Sequence, residues 1–152
     1  MDIYCNQEHN LLRKSVRDFA EKVIKPQAQK LDEQEQFSVE NTKKMGEMGL
    51  FGITVPQELG GQGMDVLSYI IAVEELARID SSQAATLAAH NSLGIGPIYY
   101  YGTEEQKMKY LPQLCTGNAL WGFGLTEPEA GSDSRATKTK SYLENGQWII
   151  NG

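Results

Sequence analysis

Gly122-Phe123-Gly124-Leu125-Thr126-Glu127-Pro128-Glu129-Ala130-Gly131-Ser132-Asp133 is the stretch on which the reading of this chain turns. From Trp121 a largely apolar run predicts a strand that ends at the hydroxyl of Thr126. Pro128 then marks a turn, and Ala130-Gly131-Ser132 a loop of small residues. Glycine and small side chains let a backbone come close to a ligand. Successive N–H groups in such a turn can hold phosphate oxygens without any net positive charge. The same residues also suit a plain connection between strands, with Thr126 and Asp133 making local turn bonds. Residue types alone leave both readings open.

Downstream of this stretch the pattern is β. Residues 135–143 and 147–150 read as two strands joined through Glu144-Asn145-Gly146, and Asn-Gly is a strong hairpin signal. Upstream it is helical. Leu12, Val16, Phe19, Ala20 and Val23 recur at helical spacing, with Asn6 as cap and Glu8 in the first turn. Pro26 predicts a kink or break, with a second helical piece running through Leu31. Ser38 caps a short helix reaching Met48. Gly49 and Gly52 punctuate a brief apolar segment ending at Val55, and Pro56 with Gly60-Gly61-Gln62-Gly63 marks a loop. Residues 65–79 are apolar on nearly every side, which predicts a buried helix. Residues 82–98 predict a second one. Thr103-Glu104-Glu105-Gln106 fits a capping box for a helix to about Leu111, with a turn at Pro112 and an end at Gly117-Asn118.

Helices first and strands afterwards suggest two domains rather than an interleaved sheet. The expected division is an all-α domain over residues 1–117 and the beginning of a β-domain over 118–152. Three or four uncovered strands would expose apolar faces and open edges, so the chain reads as the front part of a longer protein.

Composition narrows the function. The 152 residues carry a net charge of −6, which excludes a basic nucleic-acid surface. It leaves room for a phosphorylated ligand held by backbone groups. Cys5 and Cys115 are too few and too far apart for a disulfide framework or a zinc site, and read as reduced thiols. No apolar run is long enough to span a membrane. Met1-Asp2-Ile3-Tyr4 does not open a signal or transit peptide, so the expected compartment is the cytoplasm, or an organelle for a chain already processed. Glu74 and Glu75 are adjacent on one helix and cannot aim at one point, so they read as solvated or salt-bridged. His9 and His90 lack a metal-ligand partner at suitable spacing. The glycines near Gly60 and Gly94 do not form the strand-helix nucleotide fingerprint.

The stretch from Gly124 to Asp133 resembles the signature of the acyl-CoA dehydrogenases. That signature is a small residue, an aliphatic, Ser or Thr, Glu, two variable positions, a small residue, Gly, Ser or Thr, and Asp. Here these are Gly124, Leu125, Thr126, Glu127, Pro128-Glu129, Ala130, Gly131, Ser132 and Asp133. Gly49-Leu50-Phe51-Gly52-Ile53-Thr54-Val55-Pro56, Asn91-Ser92-Leu93-Gly94, Gly102-Thr103-Glu104-Glu105-Gln106-Lys107 and Trp148-Ile149-Ile150-Asn151-Gly152 resemble other parts of the same family. The likeness covers essentially the whole chain.

The resemblance implies a helical-bundle N-terminal domain followed by the first strands of a β-barrel-like middle domain. It implies FAD as cofactor, lined by Phe123, Gly124, Leu125, Thr126, Gly131 and Ser132. Leu125 and Thr126 would face the flavin ring, and Ser132 the pyrophosphate and the acyl-CoA. Leu93 would help set acyl-chain length; ordinary core packing explains it as well. Glu129 stands where some relatives have Gly. The implied activity is α,β-dehydrogenation of acyl-CoA thioesters, as in fatty-acid β-oxidation, with a glutamate base in a C-terminal domain that this stretch does not reach. The stretch alone is therefore expected to be inactive and to bind FAD weakly if at all. An electron-transferring flavoprotein as acceptor, a homotetramer, and a bacterial cytoplasm or a mitochondrial matrix are implied in the same way. An acyl-CoA oxidase, a flavin monooxygenase of the same architecture, and a non-catalytic helical module that binds acyl groups or a partner are the alternatives.

Overall fold

The computed structural model describes residues 4–152. Met1, Asp2 and Ile3, the start of the segment read as lacking a leader, lie outside the described residues. The chain forms two compact units that divide after Gly122.

The first unit is helical. Helix α1 (Gln7–Phe19) begins at Asn6, whose side chain accepts the His9 N–H at 2.9 Å. His9 closes the capping box with its ring, Nδ1 accepting the Asn6 N–H at 3.1 Å. With Nδ1 an acceptor, Nε2 carries the proton and donates to the Asp65 carboxylate at 3.0 Å. Asp65 is itself the cap of α4 (Val66–Ala77), taking the Ser68 N–H at 2.8 Å. The caps of two helices distant in sequence thus interlock. The Ser68 amide, and then the His9 ring, hold the Asp65 carboxyl down at about 2.

Pro26 does not break the chain as expected. A wide π-helical turn, Ala20–Ile24, follows α1, and its last bond runs from the Lys25 N–H back to the Ala20 carbonyl. Pro26 then falls in the first turn of α2 (Lys25–Glu33), where no amide donor is needed. The same device recurs farther on. Helix α5 (Ser81–Ala89) passes through a π-helical segment, His90–Ile95, into α6 (Gly96–Tyr101), with Pro97 in the first turn of α6.

Ser38 caps α3 (Val39–Glu47) as expected. Gly46 in α3 lies against the end of α7 (Glu104–Cys115). A Cβ on Gly46 would overlap the Thr116 carbonyl oxygen and sit 3.3 Å from the Gly117 Cα. A helical Gly→Ala change ordinarily gains up to about 1 kcal/mol. Here the obstructing atoms are backbone and cannot turn aside, so overpacking of about 3 kcal/mol outweighs the gain. Gly46→Ala should therefore lose about 2 kcal/mol of stability. An unchanged or higher urea midpoint would contradict this.

Helix α4 is not buried all round. Ile71, Ala72, Glu75 and Leu76 are buried, whereas Val66 and Ile70 are exposed. Helix α4 packs on α1 and α5, and two neighbours cannot cover a cylinder that is apolar on every side. The helix predicted over residues 82–98 is likewise only partly buried, with Leu93 exposed.

Thr103 and Gln106 form the expected capping box on α7. The helix does not turn at Pro112, which lies inside it. Burial of Leu111, Leu114 and Cys115 holds the extra turn in place, and tertiary packing overrides the proline's preference. Gly117, at φ +72°, ends the helix in the left-handed region.

The core has two parts. Val16, Ile24, Met45, Phe51, Leu76 and Leu87 represent the larger one. Val55, Ile95, Leu111 and Leu114 represent the smaller.

The second unit, Phe123–Gly152, contains one antiparallel hairpin of β1 (Lys140–Glu144) and β2 (Gln147–Asn151). Asn145 and Gly146 both have positive φ, the type I′ geometry that the Asn-Gly pair predicts. Two strand expectations fail. Residues 121–126 are not a strand. An extended run becomes a strand only when its N–H and C=O groups find a ladder, and none of the described residues supplies one. Residues 135–139 do not extend β1 either. Asp133 takes the Arg135 N–H on its side chain and folds Ser134–Ala136 into a 3₁₀ turn.

Candidate cofactor-binding site

The helical unit ends in a firm grip on Trp121. Its N–H donates to Nδ1 of His90 at 3.2 Å, and His90 Nε2 donates to the Leu114 carbonyl at 2.9 Å. Both ring nitrogens are committed, so His90 is the neutral Nε2–H tautomer. Burial lowers its pKa and keeps it neutral. Gly94 lies beside both partners, where a Cβ would come 2.7 Å from the Trp121 carbonyl oxygen and 3.3 Å from His90 Nδ1. His90 is thus a structural clamp. Cys115, its thiol pushed up by burial to about 11, is no nucleophile.

In the second unit, residues 123–133 form an open loop. Phe123, Gly124, Leu125 and Thr126 are exposed and lack regular structure. Among the described residues, the amides of these four, and of Gly131 and Ser132, make no hydrogen bond within the protein. A Cβ on Gly124 or Gly131 would meet nothing within 4 Å. The loop is shaped by the turn at Glu127-Pro128-Glu129-Ala130. The Glu127 N–H donates to the Ala130 carbonyl at 3.0 Å, and the Ala130 N–H donates back at 3.2 Å. Pro128, second in the turn, supplies the φ that this position favours. Ala130 is buried although its neighbours are exposed.

The Glu127 carboxylate reaches across to the approach to β1. Oε2 accepts the Lys138 N–H at 2.7 Å, and Oε1 the Thr139 N–H at 3.1 Å. The Thr139 side chain, and then these two amides, hold the Glu127 carboxyl below the usual carboxylate range. Glu129 pairs with Lys138 Nζ. Among the described residues there is no group of three or more His, Cys, Asp and Glu that could hold a metal, and no helix long and apolar enough to cross a membrane.

The model of the acyl-CoA dehydrogenase N-terminal domain matches residues 6–118. The chain belongs to the acyl-CoA dehydrogenase family. A short-chain-specific acyl-CoA dehydrogenase of Clostridium acetobutylicum is 49% identical over 152 residues, 100% of this chain and 40% of the relative. A chain from a solved structure described as the electron transferring flavoprotein of Acidaminococcus fermentans aligns with TM-score 0.95 and 43% identity, covering 100% of this chain and 40% of that one. An acyl-CoA dehydrogenase from Bacillus anthracis, solved in complex with FAD, aligns with TM-score 0.92 and 39% identity, covering 100% and 27%. The chain spans about 40% of the length of the curated relatives it matches.

The residues expected to line a cofactor, Phe123, Gly124, Leu125, Thr126, Gly131 and Ser132, share one loop. Leu93 is not part of that loop. It lies in the helical unit, on the segment His90–Ile95, and is 48% exposed. A cavity of about 210 Å³ opens on the same segment, lined by Asn91, Ser92, Ile95, Tyr69 and Tyr99 among others, and Leu93 is not in its wall. The residues that sequence reasoning missed are those that shape the loop, above all Glu127. Its place in the signature was visible. Its partners are two main-chain amides, which leave no mark in side-chain identity.

Proposed function

We propose that this chain is the amino-terminal part of an FAD-dependent enzyme that dehydrogenates acyl-CoA thioesters. The observation that carries the reading is the loop of residues 123–132, with its open glycines and its unshared amides. FAD fits that donor set. Amide N–H groups suit the polar edge of a flavin and the oxygens of a pyrophosphate, and an open face at Gly124 and Gly131 lets a flat ring lie against the main chain. When bound, FAD supplies the redox chemistry, and the protein supplies position and polarity. In this reading Phe123 and Leu125 give apolar cover to the ring, Thr126 offers its hydroxyl, and Ser132 stands by the pyrophosphate and the acyl-CoA. Leu93 is proposed as a chain-length residue on the acyl side.

The names of the relatives support the same reading. One is short-chain specific, and one was solved with FAD. The likeness to a chain from the electron transferring flavoprotein structure supports such a flavoprotein as electron acceptor. A homotetramer and a bacterial cytoplasmic or mitochondrial-matrix location complete the proposal.

The test uses the protein as its gene encodes it. The purified protein is expected to carry FAD, and anaerobic addition of butyryl-CoA is expected to bleach the flavin absorbance near 450 nm, on the order of one equivalent per site. Reduced flavin that is reoxidised by oxygen at the rate of turnover would mark an oxidase instead. A protein that holds no flavin would leave the helical binding module as the better reading.

A further inference from the structure

We propose that Glu127 is a positioning residue for the cofactor loop, the brace that sets the loop's shape and so its affinity for FAD. The inference rests on the flavin reading given above and adds a specific role for a residue outside the set proposed to line the flavin.

Few bonds hold the loop. Residues 123–126 have no ladder, and the turn at 127–130 bonds only to itself through the main chain. Among the described residues, two kinds of polar link join this turn to the approach to β1. One is the pair of Glu129 with Lys138 Nζ, between side chains that are 63% and 72% exposed. An exposed pair of two long side chains is worth little and fixes no geometry. The other is the Glu127 carboxylate on the amides of Lys138 and Thr139, at 2.7 and 3.1 Å. Charge-assisted bonds to backbone donors are shorter and stronger than neutral ones, and backbone donors cannot swing away. Glu127 is therefore the link that defines where the turn stands.

The chemistry of the side chain explains why it is a glutamate. Each carboxylate oxygen has its own amide, so the residue must present two acceptors. Glutamine offers one oxygen and sets its NH₂ donor against an N–H. Aspartate keeps both oxygens but is one methylene shorter. The carboxylate would otherwise be out of place beside a loop that receives a pyrophosphate, since like charges repel. With both oxygens engaged by N–H groups, much of that charge is answered locally. The same engagement means Glu127 does not serve as a proton acceptor for the substrate.

The experiment is an FAD titration of the apo-protein, again as the gene encodes it, with the bound flavin's visible spectrum recorded. Glu127→Gln is expected to weaken FAD about tenfold, the equivalent of one lost charge-assisted bond. It is also expected to blur the vibronic shoulders of the bound flavin, while the apo-protein melts where the parent does. Glu127→Asp is expected to fall between the two, at about threefold. A purely structural role would lower the melting temperature and leave the spectrum of the flavin that still binds unchanged; that result would overturn the proposal. Parent-like affinity in both variants would also overturn it, while leaving the flavin reading intact. Parent protein that binds no FAD would sink the flavin reading itself, and this proposal with it.

Discussion

Glu75→Ala is expected to cost about 3 kcal/mol of stability, because it removes a buried carboxylate that three arginines share. The Glu75 side chain is 1% exposed. Arg17 grips it with Nε and Nη2, both at 2.8 Å. Arg13 Nη1 lies at 2.9 Å and Arg78 Nη1 at 3.0 Å. Arg13 also holds Glu74, at 2.6 Å. The cluster ties α1 to α4 and to the turn beyond it. Arg17 and Arg78 are about half exposed and can turn to water once Glu75 is gone, so the loss sits at the low end of the range for a broken buried pair. The cluster also gives a pH signature. Arg17 first, against the opposing effect of burial, and then Arg13 and Arg78 bring the Glu75 carboxyl from its ordinary 4.5 to about 2. A carboxyl with a lowered folded pKa stabilises the fold above its unfolded value and stops doing so as pH falls through the folded one. Stability should therefore decline between about pH 4.5 and 2, and Glu75→Gln should make that decline shallower. Asp65, also at about 2, keeps some of the slope in the variant. Urea midpoints at pH 7 and pH 3 measure both effects. Equal midpoints for parent and Glu75→Ala at pH 7 would show that the arginines gain as much from water as from the carboxylate.

What was legible in the sequence was local. Asn6, Ser38 and Thr103 cap their helices where their residue types say they should, because a cap bond spans only three residues. Asn145-Gly146 makes its hairpin for the same reason, since two positive φ angles suffice. The signature residues fall on one loop because they are consecutive. What was hidden depends on partners far along the chain. Pro26 predicts a kink or break, yet a wide π turn before it places it where its missing N–H costs nothing, and Pro97, inside the single helix expected over residues 82–98, is seated in the same way. Pro112 predicts a turn, yet three buried neighbours keep it helical. Residues 121–126 have the composition of a strand but no ladder among the described residues. Glu75, read with Glu74 as solvated or salt-bridged, is salt-bridged; its burial was hidden, because two of its three arginines lie 58 and 62 residues away. Glu127 is visible in the signature, but main-chain amides answer it. Side-chain patterns report the chain's own faces and ends well. They report poorly on groups whose partner is a backbone or a distant helix.

Phe51→Ala is expected to have the largest effect, about 4 kcal/mol. The ring is fully buried in the larger core. Its edge contact with the His90 ring has a centroid distance of 4.8 Å and an interplanar angle of 79°. The ring also lies so close to the chain at Gly117 that a Cβ there would come 2.7 Å from Cδ2. Removing the ring leaves a hole that helices α3 and α7 cannot close, because their ends already touch at Gly46 and Thr116. Large-to-small changes cost most where the walls cannot collapse. The aromatic contact adds about 1 kcal/mol beyond the buried area. Against a total stability of roughly 5–15 kcal/mol for a domain, such a loss leaves the helical unit marginal. Phe51→Leu keeps most of the volume and should cost about half as much. The consequence reaches the end of the helical unit, because the ring packs on the same histidine that holds the Trp121 N–H. In a Trp148→Phe background, emission from Trp121 should shift to longer wavelength in Phe51→Ala before the far-ultraviolet helical signal is lost. Simultaneous loss of the two signals at every urea concentration would mean that the histidine clamp and the core unfold as one unit. A cost below about 1 kcal/mol would mean that the walls do collapse. In that case the close approaches at Gly46 and Gly117 would not form a rigid frame, and the loss expected for Gly46→Ala would fail with it.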